Sequence, residues 1–338
     1  MKITTATPPR VTLGWVGFLS VVPLLMLSGC ASVQVHLGMK IYLNKTPLTS
    51  MSLTLPNGPA IGPGQKSPLV VTFKQPDGKT LQTEGAGHGK VMWQDLQISA
   101  TVVTANKKGV LSLPRDPRIS DGKVPHVTIT VPSHPDLHAD LDIPLRYDEK
   151  YNANFSGSSG TSGNNGLDGS AGISGTTGSM DPNNPSPGGN GADGGNGSDG
   201  QDGSPGGDAP PVQVRVAFRS GSHPLLQVAV SASGHQKFYL IDPQGGSLSV
   251  QADGGAGGSG GRGGRGGRGG SGGMGTPSGQ DGRSGSDGRN GSDGPPGRGG
   301  SITVTYDPQA QPFLGLIHLS NSNGPKPVFK EESVAPLW

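Results

Sequence analysis

Histidine and aspartate alternate along one short stretch of this chain, at His134, Asp136, His138, Asp140 and Asp142. If the stretch is a strand, alternate side chains share a face, and imidazole with carboxylate suits a divalent metal. Same-face neighbours on a strand lie about 7 Å apart, which is too far for most pairs to share one small ion. His134, Asp136 and His138 are therefore a weak metal candidate, and a solvated strand face is the preferred reading. No cofactor is expected.

Other chemistry-bearing patterns fail on detail. Gly85-Ala86-Gly87-His88-Gly89-Lys90 has the outline of a phosphate loop, but Val91 follows the lysine where a hydroxyl should hold magnesium. Glu84 also fills the first glycine position, so a surface turn is expected. Gly257-Gly258-Ser259-Gly260-Gly261 matches a nucleophile elbow only because the region is low in complexity. The histidines form no HExxH pair, and nothing supports an enzyme. Gly188-Gly189-Asn190-Gly191-Ala192-Asp193 begins like a calcium-binding nonapeptide, yet Gly195 stands where an apolar residue is required. Arg262, Arg265 and Arg268 are spaced like an RGG box. Nearby aspartates neutralise them, and nucleic acid is not an expected partner.

Most of these patterns sit on glycine rows. Glycine recurs at every third position in four runs: Gly157 to Gly178, Gly188 to Gly206, Gly254 to Gly275, and Gly279 to Gly300. A flexible linker has no use for a strict period. The backbone that repeats every three residues is the polyproline-II helix, which has no hydrogen bonds of its own and must find partners outside itself. Runs of about 19 to 22 residues would be rods of about 60 to 70 Å. The first two are joined by a turn-like segment, 179–187, and the last two by Thr276-Pro277-Ser278, where the register slips by one residue. Two hairpins standing on β-structure are expected.

The flanking segments have strand character. From 46 to 150, short runs rich in β-formers, such as 69–73 and 96–102, alternate with turns at Pro56-Asn57-Gly58, Pro76-Asp77-Gly78 and Asn106-Lys107-Lys108-Gly109. An antiparallel, sandwich-like domain is expected there, with Trp93 in its core. Val33, Val35 and Leu37 form a first strand within a tether, 30–45. A second β-block covers 212–252 and is completed by strands in 301–320; the Pro-rich tail, 321–338, is expected to be loosely held apart from Trp338. The glycine hairpins then span 157–206 and 254–300. Only 30% of the chain is hydrophobic, against 61 glycines and 31 prolines, so one large oily core is excluded.

The N-terminus has the order of a secretory signal: Lys2 and Arg10, an apolar stretch from Val11 to Leu27, then small residues. Leu27-Ser28-Gly29-Cys30 resembles the lipobox of bacterial lipoproteins, which implies removal of 1–29 and acylation (palmitate among the acyl groups) of Cys30, the single cysteine. Ala31 after it implies the outer membrane, so the expected location is the cell envelope and the first partner is a membrane, through the lipid. Without residues 1–29, basic and acidic residues number 24 each, so charge points to no polyanion.

The runs resemble collagen Gly-X-Y repeats in triplets such as Gly294-Pro295-Pro296. Proline is scarce in them, and the third run is almost wholly Gly-Gly-X. These departures favour an arrangement similar to the polyglycine-II bundles of springtail antifreeze proteins and some phage adhesin tips, over a homotrimer and over disorder. The third run, with two glycine faces, is then the central rod, and aspartates of the second run pair with arginines of the third to set neighbours. The expected fold is mainly β with an intramolecular polyproline-II/polyglycine-II helix bundle, and essentially no α-helix after the signal peptide. The expected function is structural or adhesive, through another protein, a glycan or a cell surface. An ice- or surface-binding face at Ser158, Thr161, Asn164 and Thr176, and a collagen-like trimeric stalk, are the alternatives.

Overall fold

The computed structural model describes residues 37–338. The signal segment, the lipobox residues Leu27, Ser28 and Gly29, Cys30, Val33 and Val35 lie outside the described residues. Leu37 sits exposed in a turn and not in a strand. The fold is mainly β, and among the described residues the helical segments are short 3-10 turns, the longest being Pro308–Leu316. Two compact units divide the chain, one ending at Arg146 and the other comprising Tyr147–Trp338 with Asp116–Arg118.

The first unit holds β1 (Ser50–Thr54), β2 (Lys66–Pro68), β3 (Val70–Lys74), β4 (Thr80–Gln82), β5 (Gln97–Thr101), β6 (Thr104–Ala105), β7 (Val110–Ser112), β8 (His126–Val131) and β9 (His134–Asp142). They form three antiparallel sheets, ordered β1-β3-β4, β2-β7-β6 and β5-β8-β9. The period of two is plain in β8, where Val127, Ile129 and Val131 are fully buried between half-exposed neighbours. With Phe73, Leu111, Ile143 and Trp93 they make one core. Gly109 shows why a turn glycine is needed: its φ is +68°, and a Cβ there would lie 2.0 Å from the Trp93 ring.

The second unit holds β10 (Lys150–Asn154), β11 (Val212–Arg219), β12 (Leu225–Ala232), β13 (His235–Ile241), β14 (Ser247–Gln251), β15 (Ile302–Tyr306), β16 (Ile317–Ser320) and β17 (Val328–Glu331). One sheet is ordered β10-β14-β16 and is wholly parallel; the other is β13-β12-β11-β15-β17, parallel from β11 onward. The antiparallel, sandwich-like expectation does not extend to these pairs, for a topological reason. Parallel neighbours need a long crossover, and whole glycine runs lie within the β10–β14, β14–β16 and β11–β15 connections. A core of Val214, Val228, Val250, Val304, Leu248 and their neighbours lies in this unit.

The tail differs from expectation as well. β17 pairs with β15, Val334 is buried, Leu337 N donates to Gln227 Oε1 at 2.9 Å, and the Trp338 ring meets Phe238 edge-on at 5.8 Å. The amide of Gln227 is buried and needs those partners.

The four glycine runs extend the sheets. β10 and β14 pair Asn154 with Gln251; the bonding continues through Phe155 N to Gln251 O, then Gly157 N to Asp253 O, and at every third residue to Gly178 N and Met274 O. The first and third runs are thus parallel. The second and fourth are parallel in the same way, from Gly188 N to Pro277 O down to Gly206 N to Pro295 O, leading into the β11/β15 pair of Val212 and Ile302. Antiparallel bonds join the rest: Gly195 N to Ser170 O between the second and first runs, Gly264 N to Ser198 O between the third and second, and Gly282 N to Gly270 O between the fourth and third. These bonds measure 2.6 to 3.0 Å.

Candidate interaction surface

The bonding pattern fixes which parts of the runs face outward. The second and third runs each bond to the other three, whereas the first and fourth bond only to those two. The third run therefore shares the centre with the second, which the sequence reading did not anticipate. Its signal was present in the second row of the second run, Gly189, Ala192 and Gly195, small residues that admit a close neighbour. A Cβ at Gly264 would stand 1.9 Å from Leu167 O, and one at Gly191 1.9 Å from Gly270 O. No side chain fits at such distances, so the glycine rows are contact surfaces.

Between the bonds of the glycines, other N–H groups need acceptors, and asparagine and aspartate supply them. Asn165 and Asp168 of the first run accept from Arg262 N and Arg265 N at 2.9 and 2.7 Å. Asp193, Asn196, Asp199 and Asp202 of the second accept from Arg283, Ser286, Arg289 and Ser292 N at 2.6 to 2.9 Å. Asp287, Asn290 and Asp293 of the fourth accept from Gly266, Gly263 and Gly260 N. The aspartates thus cap backbone of the next run through Oδ1. The expected aspartate–arginine pairing is replaced by this: none of the run arginines forms an ion pair among the described residues. Asp193, in the stretch that begins like a calcium-binding nonapeptide, is one of these caps.

Outward rows result on three of the runs. Arg262, Arg265 and Arg268 stand exposed along the third run; Asp193, Asn196, Asp199 and Asp202 stand exposed along the second. The X positions of the first run lie against the second run, Thr161 Oγ1 3.0 Å from Ser204 Oγ and Asn164 Nδ2 donating to Gln201 Oε1 at 3.1 Å. Leu167 and Ile173 interrupt that row, 79% and 80% exposed. At the hairpin turns, Met180 and Met274 are exposed, close to the bonded pair Thr276 N and Ser186 O. At each of the eight glycines that bound the runs, Gly157, Gly178, Gly188, Gly206, Gly254, Gly275, Gly279 and Gly300, a Cβ would stand within 2.3 Å of the backbone of another segment.

The first unit assembles a polar cluster, but not the expected one. The β8–β9 pairing shifts register between Thr130 and Val131, so His138 opposes Thr130 while His134 opposes Val131. That shift puts His134 out of step with His138, while Asp136 keeps the exposed alternation of His138, and no group of three potential ligands is gathered among the described residues. Asp140 and Asp142 instead meet His126 across the strands. His126 Nδ1 lies 2.7 Å from Asp142 Oδ1 and Nε2 lies 3.2 Å from Asp140 Oδ1, while the Thr128 hydroxyl donates to Asp140 at 2.6 Å. The Asp142 hydrogen bond, foremost, raises the His126 pKa; the Thr128 hydroxyl, foremost, lowers that of Asp140. Sequence reasoning missed His126 because its partners are set by cross-strand pairing. It also missed a surface cavity of about 360 Å³ lined by Tyr42, Asn44, Gln94, Asp95, Pro132 and Ser133. The phosphate-loop mimic is a turn in which Gly85–Gly87 form one 3-10 turn and Glu84 pairs with Lys40 and accepts from Trp93 N.

No family model matches this chain, and neither a curated protein nor a solved structure shows a significant likeness to it.

Proposed function

We propose that the protein is an acylated envelope lipoprotein in which the four runs form an intramolecular polyglycine-II rod, held on β-bases and presented to a partner in a structural or adhesive role. The observation that carries the reading is the ladder of backbone bonds at every third residue within one chain. A three-residue repeat without internal bonds requires such external partners. The glycine rows that a collagen trimer would turn toward two further chains already face other runs of the same chain, which favours a monomeric bundle over a trimeric stalk. Ice binding by the first run has less support: Thr161 and Asn164 are engaged with Ser204 and Gln201, and Leu167 and Ile173 break the polar row. The role proposed is non-enzymatic.

The test is sedimentation at high salt of a soluble Cys30→Ser form, with circular dichroism through a thermal melt. A monomer that loses a polyproline-II signal cooperatively is the expected result; a trimer sinks the bundle. Membrane fractionation addresses the anchor, since Cys30→Ser should release the protein if the lipobox is used.

A further inference from the structure

The two central runs carry opposite charge on opposite sides. Because the second and third runs bond to each other and to both flanking runs, their open arcs point away from one another. The third run's open side carries Arg262, Arg265 and Arg268, and the second run's carries Asp193, Asn196, Asp199 and Asp202, all exposed. Each aspartate commits Oδ1 to a neighbouring N–H, leaving Oδ2 uncommitted. Arg283 and Arg289 lie beside Asp193 and Asp199 through their backbone N–H groups, yet neither guanidinium forms an ion pair with them. Asp168 likewise caps Arg265 N and leaves that guanidinium free.

The rows also agree in height. Gly261, Gly264 and Gly267 N bond to Gln201, Ser198 and Gly195 O, which fixes the axial level of the third run against the second. A copy displaced sideways, with no axial shift, brings Arg262 beside Asp199, Arg265 beside Asn196 and Arg268 beside Asp193. Each match is within about one residue, roughly 3 Å along the rod, and an arginine side chain spans that. Displacement without rotation keeps every base on the same side.

We propose that copies of this chain associate side by side, the arginine row of one rod against the aspartate row of the next, in a parallel, open-ended array. Such a contact is heterologous and does not close, so it extends laterally. The inference rests on the rod reading and names its partner as a second copy. Exposed pairs are individually weak and screened by salt, and anchoring to a bilayer raises the effective concentration at which they act.

The test uses acylated full-length protein in vesicles, labelled at Asn183→Cys with donor or acceptor dyes. Energy transfer above that of randomly distributed copies is expected at low salt, with loss at about 500 mM salt, where the screening length is near 4 Å. Asp193→Asn with Asp199→Asn removes the charges and keeps the Oδ1 caps, as Asn196 already does; it and Arg262→Gln with Arg268→Gln should each abolish the excess transfer. Random transfer by the wild type, or loss in the arginine variant alone, overturns the proposal, the latter by placing some other anion on the arginines. Mass spectrometry of Cys30 separates this failure from failure of the lipoprotein reading: an unacylated chain is examined at low salt by sedimentation velocity with the same variants, where a monomer at every concentration again overturns it.

Discussion

At the scale of single residues, the glycine runs discriminate sharply between positions one residue apart. Gly264→Ala would put a methyl group 1.9 Å from Leu167 O and 2.4 Å from Leu167 C, both backbone atoms. The runs would have to separate, and a loss of at least about 3 kcal/mol, beyond the usual range of overpacking, is expected in denaturant melts. Arg265→Ala, next in sequence and exposed, should change stability by no more than about 0.5 kcal/mol. The caps make a second contrast. Asp199→Ala removes the acceptor of Arg289 N and should cost about 1 kcal/mol, whereas Asp199→Asn keeps it and should be close to neutral. His126 provides a pH signature. Its folded pKa is raised above 6.5, mainly by Asp142, so its contribution is full below the unfolded value and is lost as pH rises through the folded one. The first unit's melting temperature should fall over that window in the wild type and not in His126→Gln, as thermal melts on either side of it would reveal.

At the scale of elements, the sheets set the axial level of the runs. β10 and β14 meet at Asn154 and Gln251, and Gly157 follows Phe155 and Ser156 at the height where its N–H reaches Asp253 O. Asp253 is held at that junction by Ser320 Oγ and Ser322 N at 2.7 and 2.6 Å, and the Ser322 backbone bond, foremost, lowers its pKa. Deleting one residue, Ser156, would turn side-chain rows into positions that only glycine fits. Deleting the triplet 169–171 would keep the rows and ask the 179–187 turn to absorb about 9 Å. The single deletion should therefore abolish the cooperative polyproline-II melt, while the triplet deletion should lower its midpoint and leave it cooperative. A cooperative melt in the first variant would mean that the sheets do not set the register.

At the scale of the molecule, stability comes from two different sources. The first unit buries a core of Phe73, Trp93, Leu111, Ile129 and Ile143. The second joins a smaller-residue core of valine, leucine and isoleucine to a region with hardly any apolar burial, where hydrogen bonds between glycine backbones do the holding. Ordering glycine costs more entropy than ordering any other residue, so the hydrogen-bonded runs depend on the sheets that align them. Calorimetry is expected to resolve two transitions, with Gly264→Ala lowering the second and leaving the first unmoved. One transition displaced as a whole would show that the units melt together.

The sequence alone determined what is local. A strict three-residue glycine period marks a run because only glycine leaves room for a neighbouring backbone; turns at Gly78 and Gly109 are legible because their positive φ favours glycine; and the burial of Val127, Ile129 and Val131 follows from alternation. Tertiary structure decided everything that depends on which segments stand at the same height. It made the second run central beside the third, turned Asp193 and Asp199 from charge partners into backbone caps, paired His126 with Asp140 and Asp142 in place of a His134–His138 site, and docked the tail on Gln227. Periodicity says that a row of glycines must touch something. The identity of that neighbour depends on strand pairings such as Val212 with Ile302, ninety positions apart, and no local pattern encodes a distance of that kind.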